Sequence, residues 1–276
     1  MKLSIIIVNY NTKDYLSNLV KSIKQSADKL TKEVIIVDNG STDGSAKIAT
    51  IKNQHNLGFA AANNQGIQKA TGDYILLLNS DTEILPNTLQ TMVDYMDNHP
   101  DVGVSTCKVE LSDGSLDPAS HRGFPTPWSS VTYFLGLEKI FPHSQIFASY
   151  HQGWHDMSTI HEIDTPTGAF YLTRRKIIDK IGLLDERFFM YAEDIDWSLR
   201  IKQAGWKIMY VPTVKITHFK KKSGRDTANL HLRRRTNQHF YDTMKLFYDK
   251  HYKHRYPWII RQLTLAGIWV VSKIRK

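Results

Sequence analysis

The chain has 276 residues, 41% hydrophobic and 11% aromatic, with 36 Lys/Arg against 27 Asp/Glu. That length and apolar content exclude a disordered or fibrous protein and allow one large domain or two small ones. One cysteine, Cys107, excludes an internal disulfide and fits a reducing compartment. Charge is unevenly placed: residues 220–276 hold 15 Lys/Arg and 3 Asp/Glu, leaving 21 and 24 for residues 1–219. A slightly acidic body with a basic tail points to a polyanionic partner, either nucleic acid or an anionic membrane face.

Leu3–Val8 is a continuous apolar, β-branched run ending in Asn9, Tyr10 and Asn11. It reads as a buried parallel strand and is too short for the apolar core of a signal peptide, so none is expected. Asp14–Ser26 has helical spacing. Val34–Val37 is a second buried strand, followed by the polar run 38–44, and Ser45–Ile51 reads as a short helix. Asn56–Gly58 is a turn and Phe59–Ala70 a helix. Tyr74–Leu78 is a third buried strand ending in Asn79, Ser80 and Asp81; Leu89–Met96 is helical and Val102–Val109 a strand. The alternation predicts a parallel sheet covered on both faces. Ligands bind such sheets beyond the carboxyl ends of the strands, where Asn9–Asn11, Asp38–Asp43 and Asn79–Asp81 fall together. Each cluster alone reads equally well as turn chemistry; three in register do not. No G-x-G-x-x-G or P-loop motif is present, which disfavours dinucleotide binding and P-loop chemistry.

Ser112–Trp128 is loop-like and Ser129–Trp154 is aromatic-rich and ambiguous. Asp164–Leu172 reads as a turn and a strand, and Arg174–Ile181 as a helix. The stretch Leu184–Arg200 gathers five carboxylates, Asp185, Glu186, Glu193, Asp194 and Asp196, among aromatic residues. The spacing of Ile195, Leu199 and Ile201, closed by Gly205, predicts a short helix with Glu193 and Asp194 in its first turn. Two readings follow: acids that complement the helix dipole, or a general base in a partly apolar cleft. Lys207–Val211 and Val214–Thr217 are strands on either side of Pro212, before His218. His231–Lys250 has helical spacing. Trp258–Val271 is apolar except for Arg261, Gln262 and Thr264, and falls short of the ~20 residues that span a bilayer. Lys253, Arg255, Lys273, Arg275 and Lys276 flank it, and Trp258 and Trp269 suit a headgroup region. This predicts an interfacial helix; the alternative is a helix docked on the body with a solvated basic face.

Taken in order, these segments resemble inverting family 2 glycosyltransferases of the GT-A fold, especially the branch that contains bacterial rhamnosyltransferases. The likeness spans Lys2–Lys250. It is carried by SIIIVNYN at 4–11, VIIVDNGSTDGS at 34–45, NLGFAAANNQGI at 56–67, LLLNSDTEI at 76–84, HRGFPTP at 121–127, TGAFYLTRRKI at 167–177, GLLDERFFMYAEDIDWSLR at 182–200 and GWKIMYVP at 205–212. The resemblance implies an α/β GT-A fold: a Rossmann-like, mainly parallel central sheet with helices on both faces, plus a basic helical C-terminal extension. Residues 1–105 would form the nucleotide-sugar-binding half, 106–219 the acceptor half of the same domain, and 220–276 the extension.

The resemblance also assigns roles. Asp38 would hydrogen-bond the nucleotide base, with Asn9, Asn39 and Ser41 lining the same pocket. Asn56, Gly58 and Asn63 would lie near the base, ribose and diphosphate. Asn79 and Asp81 stand at the family's D-x-D motif, which holds Mg²⁺ or Mn²⁺ on the diphosphate. An amide at the first place is a poorer ligand than a carboxylate. His218 would be the second protein ligand. Asp194 would be the general base, with Glu193 orienting it or touching the acceptor, and Asp196 and Arg200 would form a local ion pair at spacing i, i+4. Gly168 and Ala169 would wall the sugar site, Asp164 would contact donor sugar hydroxyls, and His121 and Arg122 would meet the acceptor or its phosphate. The chain departs from the family at 219–223, where Lys220, Lys221 and Lys222 precede Ser223 in place of a glycine-rich run. These lysines would form a lid over the diphosphate or begin a membrane patch.

The implied activity is transfer of a sugar, rhamnose among the candidates, from a nucleotide-sugar donor (dTDP-rhamnose or a UDP-sugar) to a hydroxyl of a saccharide acceptor. The acceptor is expected to be lipid-linked, with the enzyme cytoplasmic and peripheral on the anionic inner face of the cell membrane, in bacterial cell-surface polysaccharide synthesis. The alternatives are another donor, such as a GDP-sugar, and nucleic-acid binding through 220–235. The latter is disfavoured, because that run carries no groove-reading or stacking motif.

Overall fold

The structure, a computed structural model, describes residues 2–220 and 230–274. The first half of the chain alternates strands and helices: β1 (Lys2–Asn9), α1 (Lys13–Gln25), β2 (Thr31–Asp38), β3 (Ile51–Lys52), α2 (Phe59–Lys69), β4 (Tyr74–Asn79), β5 (Thr82–Ile84), α3 (Thr88–Asn98) and β6 (Val102–Leu111). The second half holds α4 (Pro127–Phe134), α5 (Leu137–Ile140), β7 (His161–Glu162), β8 (Phe170–Arg174), α6 (Arg175–Ile181), α7 (Glu193–Gln203), β9 (Lys207–His218), α8 (Leu230–His251) and α9 (Trp258–Ile274).

The nine strands among the described residues form one sheet in the order β3-β2-β1-β4-β8-β6-β9-β5, with β7 also pairing β9. β1, β2, β3, β4, β6 and β9 run one way, and β5, β7 and β8 run against them. The sheet is therefore mainly parallel, with β8 as the reversed strand in its centre. The boundary at 105/106 falls inside β6, so both halves share this sheet.

Side chains alternate across each strand, so one apolar run feeds two cores. Leu3, Ile5 and Ile7 pack with Leu16, Leu19 and Ile23 of α1 and with Leu89, Met92 and Met96 of α3. Ile6, on the opposite face, packs with Ala60 and Ile67 of α2 and with Trp197 and Ile201 of α7. A Cβ on Gly66 would lie 2.4 Å from Ile6 Cγ2, so glycine lets α2 lie close against the sheet. A third cluster lies outside α7, where Ile195 and Leu199 meet Tyr241, Phe247 and Tyr248 of α8 and Ile268 of α9.

Three local expectations are revised. Ser45–Ile51 is a 3-10 turn over Ser45–Ile48 followed by β3, because Ile51 and Lys52 pair with Val37 and Asp38 at the sheet edge. The two strands expected around Pro212 are one strand, β9, whose register against β6 jumps from Cys107↔Val211 to Lys108↔Lys215. That irregularity accommodates a proline without a ladder donor. β5 was not expected; three residues are too few to show a period.

Candidate active site

The register of the sheet aligns the polar strand ends. Asn9 stands opposite Asp38, and Val8 opposite Asn79. Asn9 Nδ2 donates to Asp38 Oδ1 at 2.8 Å and to Ser45 Oγ at 2.8 Å, and lies 3.1 Å from Ser41 Oγ. Asp38 Oδ2 accepts the Ser41 N–H at 2.9 Å. Asn9, Asp38 and Ser41 are thus bound to one another just behind the sheet edge. Asn39 carries the network outward, donating to Asn56 Oδ1 at 2.9 Å and to the Gly58 carbonyl at 3.1 Å.

Gly58 has φ +93°, and a Cβ there would sit 2.6 Å from the Phe189 carbonyl oxygen. Only glycine suits both conditions. The Phe59 N–H donates to that same carbonyl at 2.7 Å, tying the 56–58 turn to the segment before α7. Asn63, expected near the nucleotide, instead turns its amide inward to the Phe59 carbonyl at 2.9 Å and does not line the cleft.

A second corner forms where β4 ends and β5 pairs antiparallel with β9, setting Thr82 opposite His218. His218 Nε2 lies 3.3 Å from Asp81 Oδ1, and its Nδ1–H donates to Asp117 Oδ2 at 2.9 Å. Asn79 Nδ2 is 3.4 Å from the same Nε2. Burial alone would lower the His218 pKa, but the hydrogen bonds to Asp117 and Asp81 outweigh it and raise it to about 9. Asp117 is fully buried and also accepts Lys220 Nζ at 2.9 Å. Burial would raise its carboxyl, yet His218 and Lys220 hold it well below the usual range.

The Asp81 carboxylate and the His218 imidazole, whose Nδ1 is fixed by a buried acid, would hold a divalent cation only once His218 gives up its Nε2 proton. Among the described residues no three His, Cys, Asp or Glu side chains converge on one point, so a cation held here would draw its remaining oxygens from substrate and water. Nothing in the sequence singles out Asp117. It lies in a stretch that reads as loop, 101 residues from the histidine it orients. Lys221, Lys222 and Ser223 lie outside the described residues.

The acid segment reaches the cleft through an unusual turn. Tyr191 (φ +73°) and Ala192 (φ +64°) are consecutive non-glycine residues in the left-handed region, immediately before α7. Such residues cost about 1–3 kcal/mol each and cluster at functional sites. The turn brings Glu193 and Asp194 to the helix's first turn, as the spacing predicts. Asp194 Oδ2 pairs with an Arg122 guanidinium nitrogen at 2.7 Å, and Asp194 Oδ1 accepts the Ile195 N–H at 2.8 Å. That guanidinium nitrogen also donates to the Pro166 carbonyl at 2.8 Å. Glu193 is 6% exposed and its Oε2 has no hydrogen-bond partner. Burial, then the neighbouring Asp194, push its carboxyl well up.

Asp196 pairs with Arg200 at 3.0 Å, as its spacing predicts. It also binds His251 Nε2 at 2.6 Å and Lys250 Nζ at 2.5 Å, both from α8. Asp164 and His121, like Asn63, lie outside the cleft lining. Asp164 takes Lys202 at 2.8 Å and lies outside the cleft lining, because that lysine on α7 draws it away. His121 is buried against His161, Nε2 to Nε2 at 2.6 Å, and does not face the cleft; burial lowers it to about 4. Gly168 lines the cleft and Ala169 is buried behind it.

One cleft of about 1080 Å³ joins these parts. Asn39, Asn56, Asn79, Asp81 and His218 line it together with Glu193, Asp194 and Arg122. The rest of the lining includes Tyr133 and Phe134 of α4 and Asn237, Phe240, Met244 and Tyr248 of α8. The α8 contribution was not legible, since its spacing showed a helix but not where it docks. The volume is at the upper end for small-molecule sites, which run roughly 300–1,000 Å³.

A sequence-family model described as "Glycosyl transferase family 2" matches residues 4–182. The chain is similar to the N-acetylglucosaminyl-diphospho-decaprenol L-rhamnosyltransferase of Mycobacterium tuberculosis, 27% identical over 247 residues, covering 82% of this chain and 79% of that one. It is also similar to Rhamnosyltransferase WbbL of Escherichia coli, 28% identical over 234 residues, covering 78% and 82%. Among solved structures, S. aureus TarS 1–349 in complex with UDP-GlcNAc aligns with a TM-score of 0.58 at 20% identity, covering 98% of this chain and 72% of that one. GalNAc-T7 with UDP, GalNAc and Mn²⁺ aligns with a TM-score of 0.60 at 16% identity, covering 99% and 56%. At those identities the structural likeness speaks for the fold.

Proposed function

The chain belongs to glycosyl transferase family 2 and has a GT-A-like fold, and from that premise we propose that it is an inverting glycosyltransferase acting on a lipid-linked saccharide in cell-surface polysaccharide synthesis. The observation that carries this reading is the shared cleft: the Asp81–His218 pair and the Asp194 carboxylate line the same cavity. Rhamnose is the proposed sugar, as the names of the two rhamnosyltransferases reported above carry it.

In this reading the nucleoside end of the donor lies along Asn39 and Asn56, which line the cleft, and the network of Asn9, Asp38 and Ser41 and the Gly58 turn support them. Asn39 and Asn56 face the ligand; Asn9, Asp38 and Ser41 fix the loop that carries them. Asp81 and His218 would hold Mg²⁺ or Mn²⁺, with Asn79 beside them. The chemistry such an ion would supply is neutralisation of charge on the departing diphosphate. Asp194 takes the proton from the acceptor hydroxyl as its oxygen attacks the anomeric carbon from the side opposite the nucleotide. The new bond to carbon forms as the bond to the diphosphate oxygen breaks, so the anomeric configuration inverts. Glu193, its carboxyl pushed up by burial and by Asp194, lines the cleft beside the base. Arg122 orients Asp194. The helical tail brings the enzyme to the anionic membrane face, where a lipid-linked acceptor resides; each cation close to such a surface contributes on the order of 1 kcal/mol.

The test is a transfer assay with dTDP-rhamnose, UDP-sugars and GDP-sugars in Mn²⁺ and in EDTA, with the product anomer determined by NMR. Metal-dependent transfer from one donor with inversion is expected. A retained anomer would refute the single-base mechanism, and full activity in EDTA would refute the role of Asp81 and His218.

A further inference from the structure

α4 has two unlike stripes. Ser130, Tyr133 and Phe134 line the cleft, whereas Trp128 and Val131, with Leu135 just beyond, face solvent at 51%, 45% and 69% exposure. The exposed set continues through Ile140, Phe141 and Ile146, at 66%, 48% and 62%. Residues 127–147 contain one acid, Glu138, whose Oε1 binds His151 at 2.9 Å and whose Oε2 is buried. Lys139 remains exposed.

α9 is two-sided in the same way. Leu265, Ile268 and Val271 pack against the body, and Trp258, Ile259, Leu263, Trp269 and Val270 face outward. α4 and α9 touch. Residues 251–276 hold six Lys/Arg and no Asp/Glu. No described helix is long and apolar enough to cross a membrane.

Exposed Trp, Leu and Ile, with Lys139, Lys253, Arg255 and Lys273 exposed in the same two stretches and no exposed acid there, fit the interface of an anionic bilayer better than a protein partner. We propose that the 127–147 segment and α9 together form one membrane-docking surface, so that the cleft opens beside the bilayer along the inner stripe of α4. The inference rests on the transferase reading above and deepens it. A lipid-linked acceptor would then reach Asp194 while its chain stays in the membrane, with Tyr133 and Phe134 at the crossing point. The 127–147 segment, read from sequence only as aromatic and ambiguous, becomes half of the membrane contact.

The test compares wild type, Leu135→Glu/Ile140→Glu, the milder Leu135→Ser/Ile140→Ser, and Leu263→Glu. Each is floated with phosphatidylcholine vesicles with and without phosphatidylglycerol. Each is also assayed on a polyprenyl-diphosphate saccharide in vesicles and on the same saccharide carried by a short water-soluble chain. All three variants are expected to lose vesicle binding and vesicle activity, the glutamates by roughly tenfold or more, while keeping activity on the soluble acceptor. Vesicle binding by the 135/140 variants equal to wild type, with Leu263→Glu impaired, would overturn the two-part surface and leave α9 as the sole anchor. Equal loss on both acceptors would also overturn it, tracing the effect to the cleft. A concentration-dependent dimer in wild type, broken by the same changes and indifferent to lipid, would assign the face to a second copy instead. Failure of transfer from every donor with vesicle binding intact would count against the transferase reading and not against the surface.

Discussion

Asp194 lies 2.7 Å from the Arg122 guanidinium, whereas Glu193, its neighbour in sequence, is buried with one carboxyl oxygen unpartnered. The two acids therefore suit different work: one presents a paired carboxylate to the cleft and the other is held as the neutral acid. This has a stability consequence. A carboxyl whose folded pKa lies above its unfolded value of 4.5 adds full stability below that value and loses it as pH rises through the folded one. Wild type is expected to lose melting temperature across about pH 5 to 8, and Glu193→Gln to flatten that slope. Parallel melting curves for the two proteins over that range would contradict the burial argument. His218 and Asp117 show what sequence can and cannot give. The histidine stands out because it follows a strand in a known series of motifs. Its orienting acid does not, because orientation depends on a contact that loop sequence does not encode.

At the scale of elements, α7 joins the chemistry to the tail. Its inner face packs Trp197 and Ile201 on the sheet, its first turn carries the two acids, and its outer face meets α8. Asp196 is fully buried and binds Arg200, Lys250 and His251. Removing one partner from a buried ion network leaves the others uncompensated. Asp196→Ala is expected to cost about 3 kcal/mol in urea unfolding and to loosen α8, which lines the cleft. A variant as stable as wild type, with α8 equally resistant to limited proteolysis, would contradict the docking role. The strands and helices of the first half were legible because apolar runs and helical spacing there are long and cleanly bounded. β5 and β3 were not, since strands of three and two residues carry no period. The docking of α8 was hidden for another reason: Lys250 and His251 read as members of a basic tail until the folded chain sets Asp196 against them. α9 combines both sequence readings, with one stripe docked on the body and the other exposed.

On the scale of the whole molecule, a mainly parallel sheet lines up the polar ends of β1, β2 and β4, and the return strand β9 delivers His218 to the same edge. The second half of the chain then adds α7, α4 and α8 to a cleft lined by both the Asp81–His218 pair and the Asp194 carboxylate. Comparing Asp194→Asn and Asp81→Asn for nucleotide binding by calorimetry with Mn²⁺ and for sugar transfer tests this division of labour. Asp194→Asn is expected to bind the nucleotide as wild type does and to lose transfer by roughly 10²–10⁴-fold, the range for removal of a positioned base. Asp81→Asn is expected to lose the metal-dependent part of binding as well. Near-normal transfer by Asp194→Asn, or unchanged Mn²⁺-dependent binding by Asp81→Asn, would contradict the account.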